Sequence, residues 1–157
     1  MRALLVVLLV VVSDVGLAQA TNPIAGNWKL VARETIVDGR TTPADLFGLN
    51  PKGFLILTPE GRMALIITGE NRKGGMSEAE RAQLHKSMFA VSGKYRIEGA
   101  ALSIAVDVSW NETWNGTVLK RHFKLDGDRL LIETEPAASL LSPGQTVVAK
   151  LTFERET

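Results

Sequence analysis

The chain has 157 residues, no cysteine, two histidines and a formal net charge of +1 from 18 basic and 17 acidic side chains. The missing thiols exclude cysteine catalysis and thiolate metal sites, and the near-neutral balance without a basic stripe argues against nucleic acid as a partner. The length is that of one domain, enough to bury a core without a disulfide.

Residues 1–20 read as an export signal: Arg2 supplies a positive start, residues 3–12 are an unbroken apolar run, and Ala18-Gln19-Ala20 is a small-x-small cleavage site. The run is about half the length needed to cross a bilayer, so no membrane span is expected once the signal is cleaved. Residues 21–157 are then one exported domain, secreted or periplasmic. Without Arg2 and Asp14 it keeps 17 basic and 16 acidic groups. Nothing in the composition sets an oligomeric state.

Strand patterns dominate the remainder of the chain. In residues 28–36, Trp28, Leu30, Ala32, Glu34 and Ile36 alternate onto one face, and Asp38-Gly39 turns the chain. Residues 41–50 form a loop carrying Leu46, Phe47 and Leu49. Residues 54–58 and 63–68 read as a hairpin around Pro59-Glu60-Gly61-Arg62, with Phe54, Ile56, Met63 and Leu65 taken as the inner face. Leu55, Leu57, Ala64 and Ile66 are apolar too, so that choice of face stays open. Ser77-Glu78-Ala79-Glu80 is a capping box opening a short helix to about Phe89, with Leu84, Met88 and Phe89 as its apolar contacts. Residues 91–97 and 102–108 are strands, the second with Leu102, Ile104, Val106 and Val108 on one face. Trp110 and Trp114 lie in a polar loop, as a lid or a plug for a barrel mouth. Strands 117–125 and 129–134 flank Asp126-Gly127-Asp128, and residues 146–154 put Val147, Ala149, Leu151 and Phe153 on one face.

That makes eight strands with one helix between the third and fourth. Consecutive tight turns predict an all-β, eight-stranded up-and-down antiparallel barrel, just wide enough for side chains or one small ligand. Closure also removes exposed strand edges.

Four stretches carry a family resemblance: Gly26-Asn27-Trp28-Lys29-Leu30; Asn50-Pro51-Lys52-Gly53-Phe54 with Thr58-Pro59-Glu60-Gly61-Arg62-Met63; residues 89–95 around Gly93; and Trp114-Asn115-Gly116-Thr117 running to Asp126-Gly127-Asp128-Arg129-Leu130. In this order they resemble the bacterial and fungal lipocalin-like domain family of the calycin barrels. The resemblance implies small-molecule handling, without a single activity. It also implies that Trp28 plugs one end of the barrel beneath a basic residue of the last strand, for which Arg155 stands in place.

Parity assigns the remaining candidates. In residues 117–125, Leu119, Arg121, Phe123 and Leu125 share the inner face, so Arg121 enters the barrel, where a guanidinium must find a partner. By the same parity Glu34 and Tyr95 point inward. Arg121 is then either a fixed polar centre held by Glu34 or Tyr95, or the anchor for the anion of an amphipathic ligand, as in the related fatty-acid-binding barrels. The expected ligand-binding residues are Arg121, Tyr95, Phe54, Met63, Phe123, Glu34 and Trp114, and Ile56, Leu65, Ile104 and Val106 complete the lining. His122 has outward parity and His85 lies in the helix, so no metal site is expected and no cofactor. A haem held by one axial histidine, as in some small calycin barrels, is the minor exception. The partner is a small hydrophobic or amphipathic molecule. The alternatives are an isomerase or cyclase using Tyr95, Glu34 and Arg121, and a filled barrel acting through its surface.

Overall fold

The computed structural model describes residues 22–42, 46–138 and 144–156; the expected signal segment lies outside them. In chain order the elements are β1 (Gly26–Val37), β2 (Arg40–Thr42), β3 (Lys52–Leu57), β4 (Arg62–Thr68), α1 (Glu78–Lys86), β5 (Met88–Glu98), β6 (Ala101–Ser109), a 3-10 turn (Glu112–Trp114), β7 (Val118–Asp126), β8 (Arg129–Thr134), β9 (Ala137–Ala138) and β10 (Thr146–Arg155). Eight of the strands pair antiparallel in the order β1-β3-β4-β5-β6-β7-β8-β10, and β1 also pairs with β10, closing the barrel. The short β2 and β9 add onto β1 and β10. This is the expected meander with one helix between its third and fourth long strands.

One end is plugged as expected. Trp28 and Ile24 are fully buried, and the Trp28 indole N–H donates to the Ile24 carbonyl at 2.9 Å. Arg155 lies over the ring, 4.1 Å from its centroid, and donates to the carbonyls of Ala25 (2.8 Å) and Pro23 (3.1 Å). Position 26 must be glycine here: its φ is +144°, and a Cβ would stand 2.6 Å from Arg155 Nη1.

Two β-bulges reset the alternation of side chains. A bulge adds one residue to one strand, so the residues beyond it change face. On β1 the register slips between Leu30 and Ala32. Trp28 and Leu30 face the core before it; Arg33, opposite buried Leu151, and Thr35, 7 % exposed, face it afterwards. Ala32 and Glu34, expected inside, are exposed on the outer wall. On β6 the register slips at Asp107, so Val106 is buried and Val108, expected beside it, is 62 % exposed. Gly93 sits across from that bulge, where a Cβ would lie 2.3 Å from the Ala105 carbonyl oxygen.

Two further expectations are corrected. In the β3–β4 hairpin Leu55, Leu57, Met63, Leu65 and Ile67 fill the core, which turns Phe54 and Ile56 outward. The capping box forms, with Glu80 N donating to Ser77 Oγ at 3.3 Å and Ser77 N to Glu80 Oε2 at 3.0 Å. The helix ends at Lys86, however, capped by Ser87, and none of its residues is buried. Met88 and Phe89 already belong to β5, whose pairing with β4 outcompetes another helical turn.

Candidate functional site

The inner wall is not filled evenly. On β3, β4, β5 and β6 the inward side chains Leu55, Leu65, Val91, Tyr95, Ile104 and Val106 are buried. Along β7 the inward set Leu119, Arg121, Phe123 and Leu125 is half-buried at every position, alternating with exposed residues. This strand is therefore the part of the inner wall whose side chains stay partly accessible.

Four neighbouring strands build this part of the wall, and their register sets the inward residues in two rows. Phe123 faces Ile132, Ile132 faces Leu151, and Leu151 faces Arg33. In the next row Arg121 faces Thr134 on β8, and Thr35 faces Ala149 on β10. The two halves of that row are joined where Ala149 N donates to Thr134 Oγ1 at 2.9 Å. Each row thus brings one arginine inward, from opposite edges of the four-strand stretch.

Arg121 donates to the Lys120 carbonyl at 2.7 Å, and no carboxylate among the described residues lies within ion-pair distance of it. Burial lowers the pKa of its guanidinium, and the charge of Glu135 opposes that shift. Arg33 stacks on Phe47, with Cζ 4.3 Å from the ring centroid. Phe47 is held by a short tether: Glu70 N donates to the Phe47 carbonyl (2.9 Å), while the Glu70 carboxylate accepts from Leu49 N (2.7 Å) and Asn50 Nδ2 (3.2 Å). These bonds, that from Leu49 foremost, hold the Glu70 pKa below the usual glutamate value.

The other expected site residues disperse. Met63 and Phe123 do face the interior. Tyr95 also points inward but is spent on structure: its hydroxyl donates to the Thr58 carbonyl at 2.7 Å and accepts from Asn22 Nδ2, and burial raises its pKa. Phe54 lies on the outer wall, in a cleft of about 300 Å³ shared with Lys29, Pro51 and Lys52. Glu34 is outside and cannot neutralise Arg121, so the trio Tyr95, Glu34 and Arg121 is not assembled. Trp114 packs edge-on against Phe89 (5.4 Å between centroids); Trp110 touches both and meets His85 of α1 at 4.8 Å. Through His85 this aromatic cluster joins the helix to the barrel. His122 is exposed, as expected. Arg33 and Thr35 were missed because alternation carried across Val31 puts them outside; no residue there signals a bulge.

The closed meander barrel of eight antiparallel strands, plugged at one end by a tryptophan beneath an arginine, is what the lipocalin-like resemblance implied. A family model described as lipocalin-like domain matches residues 25–156. The chain belongs to that lipocalin-like domain family. A comparison with curated proteins found none that matches it.

Proposed function

We propose that the protein is exported and holds a small apolar or amphipathic molecule inside the barrel, with the polar head against Arg121. The observation that carries this reading is an inward arginine without a carboxylate partner among the described residues, on a stretch of inner wall that stays partly accessible. Leu119, Phe123 and Ile132 supply apolar contact around it. A ligand anion would give the guanidinium the charged hydrogen bonds that Glu34 does not. The apolar run and small-x-small site in residues 1–20 support export.

Calorimetric titration of wild type and Arg121→Met with dodecanoate and dodecanol tests the reading. A hydrogen bond to a charged group contributes about 1.5–3 kcal/mol, so the carboxylate should lose about 10- to 100-fold in affinity while the alcohol changes little. Equal losses for both probes, or none, would remove Arg121 as the anchor. Mass spectrometry of the protein from its host tests export, with Thr21 as the expected first residue.

A further inference from the structure

The outer wall of β3, β4, β5 and β6 has a feature that the barrel does not need. Antiparallel strands with one wet face alternate apolar and polar residues, and a continuous apolar run marks a strand covered on both faces. β3 contains Phe54-Leu55-Ile56-Leu57 and β4 contains Met63-Ala64-Leu65-Ile66-Ile67. Their inward residues fill the core, yet Ile56 is 40 % and Ile66 54 % exposed outside.

Register makes the uncovered residues contiguous. Phe54 faces Ile66, and Ile66 faces Ala90. Ile56 faces Ala64, Ala64 faces Ser92, and Ser92 faces the Val108 that the Asp107 bulge turned out. Val118, 59 % exposed, lies opposite Ala105 and carries the patch onto β7. The Pro51–Phe54 cleft opens at its edge.

Cations frame the patch. Lys29 is the partner of Phe54, Lys52 opens β3, and Arg62 and Lys94 face each other at the other end of β4 and β5. Arg96 and Lys120 lie one row further, both opposite Ser103. Within this face Asp107 is held by Arg62, and Glu156 lines the cleft. Glu154 lies opposite Lys29, and Glu98 shares the outer face of β5 with Lys94 and Arg96, so cations still exceed acids around the patch.

Two copies packed face to face would set these lysines against lysines, because a two-fold contact joins like surface to like. The closed barrel offers no strand edge here, so pairing by β-addition does not compete. An anionic lipid surface satisfies both parts: apolar side chains enter the headgroup boundary and the surrounding cations meet phosphate. We propose that this outer face, with Ile56, Ile66 and Val108 at its centre, docks the protein onto an anionic bilayer. Docking through the outer wall does not depend on what the interior holds.

The test is sedimentation of the full chain, in the form the cell leaves it, with phosphatidylcholine vesicles with and without phosphatidylglycerol. Binding should require phosphatidylglycerol and weaken with salt. The double variant Lys52→Gln/Lys94→Gln should partition about 25-fold more weakly, from about fivefold per lysine near an anionic surface. Ile66→Asp should abolish binding at unchanged circular dichroism and melting temperature. The proposal is overturned if the wild type does not bind, if it binds both vesicle types alike, or if both variants bind as wild type does. It is equally overturned if size-exclusion chromatography shows a dimer that Ile66→Asp dissociates, which would assign the face to a second copy.

Discussion

Replacing Arg121 by methionine should leave the protein as stable as wild type or more so, an outcome opposite to that for a structural ion pair. The guanidinium is half-buried in the barrel, and complete desolvation of such a charge costs several kcal/mol. Against that fractional cost stand the attraction of the Glu135 charge and one hydrogen bond, to the Lys120 carbonyl at 2.7 Å, worth about 1.5–3 kcal/mol for a charged donor. Lys120 is exposed, so the freed carbonyl can take water instead. Methionine has similar reach and gains apolar contact beside Leu119 and Phe123 and opposite Leu102. The expected balance runs from no change to a gain of about 1 kcal/mol, within the range in which buried charges replaced by apolar groups are neutral or stabilising.

Equilibrium unfolding in urea measures this, provided the slope m is the same for both proteins. Glu34→Gln is the matched control: Glu34 is exposed, so its loss should stay within about 0.5 kcal/mol. A loss of about 3 kcal/mol or more for Arg121→Met would show a broken buried ion pair and refute the reasoning. With weaker dodecanoate binding, unchanged or raised stability would mean that Arg121 is retained for its ligand, at some cost to the fold.

Tyr95 is the single tyrosine, so absorbance near 295 nm titrates it alone; its midpoint should lie above the ordinary value of 10, because burial disfavours the phenolate. A raised folded-state pKa adds stability that is fully present below about pH 10 and lost as pH rises through the folded value; Tyr95→Phe should remove that alkaline slope from the unfolding free energy. Gly93→Ala should destabilise by about 3 kcal/mol, the upper end of overpacking, because the clash is with backbone at Ala105; an unchanged melting temperature would refute the assigned bulge geometry. Glu70 has a lowered pKa, so the order it gives the Phe47 turn is present above about pH 4.5 and lost as pH falls through the folded value. Amide chemical shifts of Leu49 and Asn50 should follow that titration and become pH-independent in Glu70→Gln.

What was legible in the sequence was whatever depends on period and punctuation. Asp38-Gly39, Pro59-Glu60-Gly61-Arg62 and Asp126-Gly127-Asp128 mark turns that side-chain chemistry demands, and the alternation between them defines the strands. Trp28 and Arg155 came from the family resemblance, and alternation agrees because both lie on the near side of the β1 register shift. Arg121 was placed correctly for a similar reason: β7 pairs with β6 and β8 without a register shift. Glu34, Ala32 and Val108 were not, since each lies beyond a bulge and alternation has no memory of phase once a residue is inserted. Phe54 and Ile56 failed differently. Both faces of their strand are apolar, so parity had nothing to choose between.

The bulge on β1 therefore has an electrostatic consequence as well as a geometric one. Unbroken alternation would bring Glu34 inside, opposite in charge to Arg121, and the interior would hold a compensated pair needing nothing more. The inserted residue brings Arg33 inside instead and changes the charge that β1 contributes from −1 to +1. The described inward residues of β7, β8, β10 and β1 then include two arginines and no carboxylate. Arg33 is engaged with the Phe47 ring, which leaves Arg121 as the guanidinium facing the accessible stretch of wall. An apolar group placed against Arg121 would strip its water and return nothing, whereas a carboxylate or other anion would return the interaction that water supplied. On the proposed reading, a one-residue irregularity in the first strand thus keeps Glu34 from Arg121 and favours an anionic ligand.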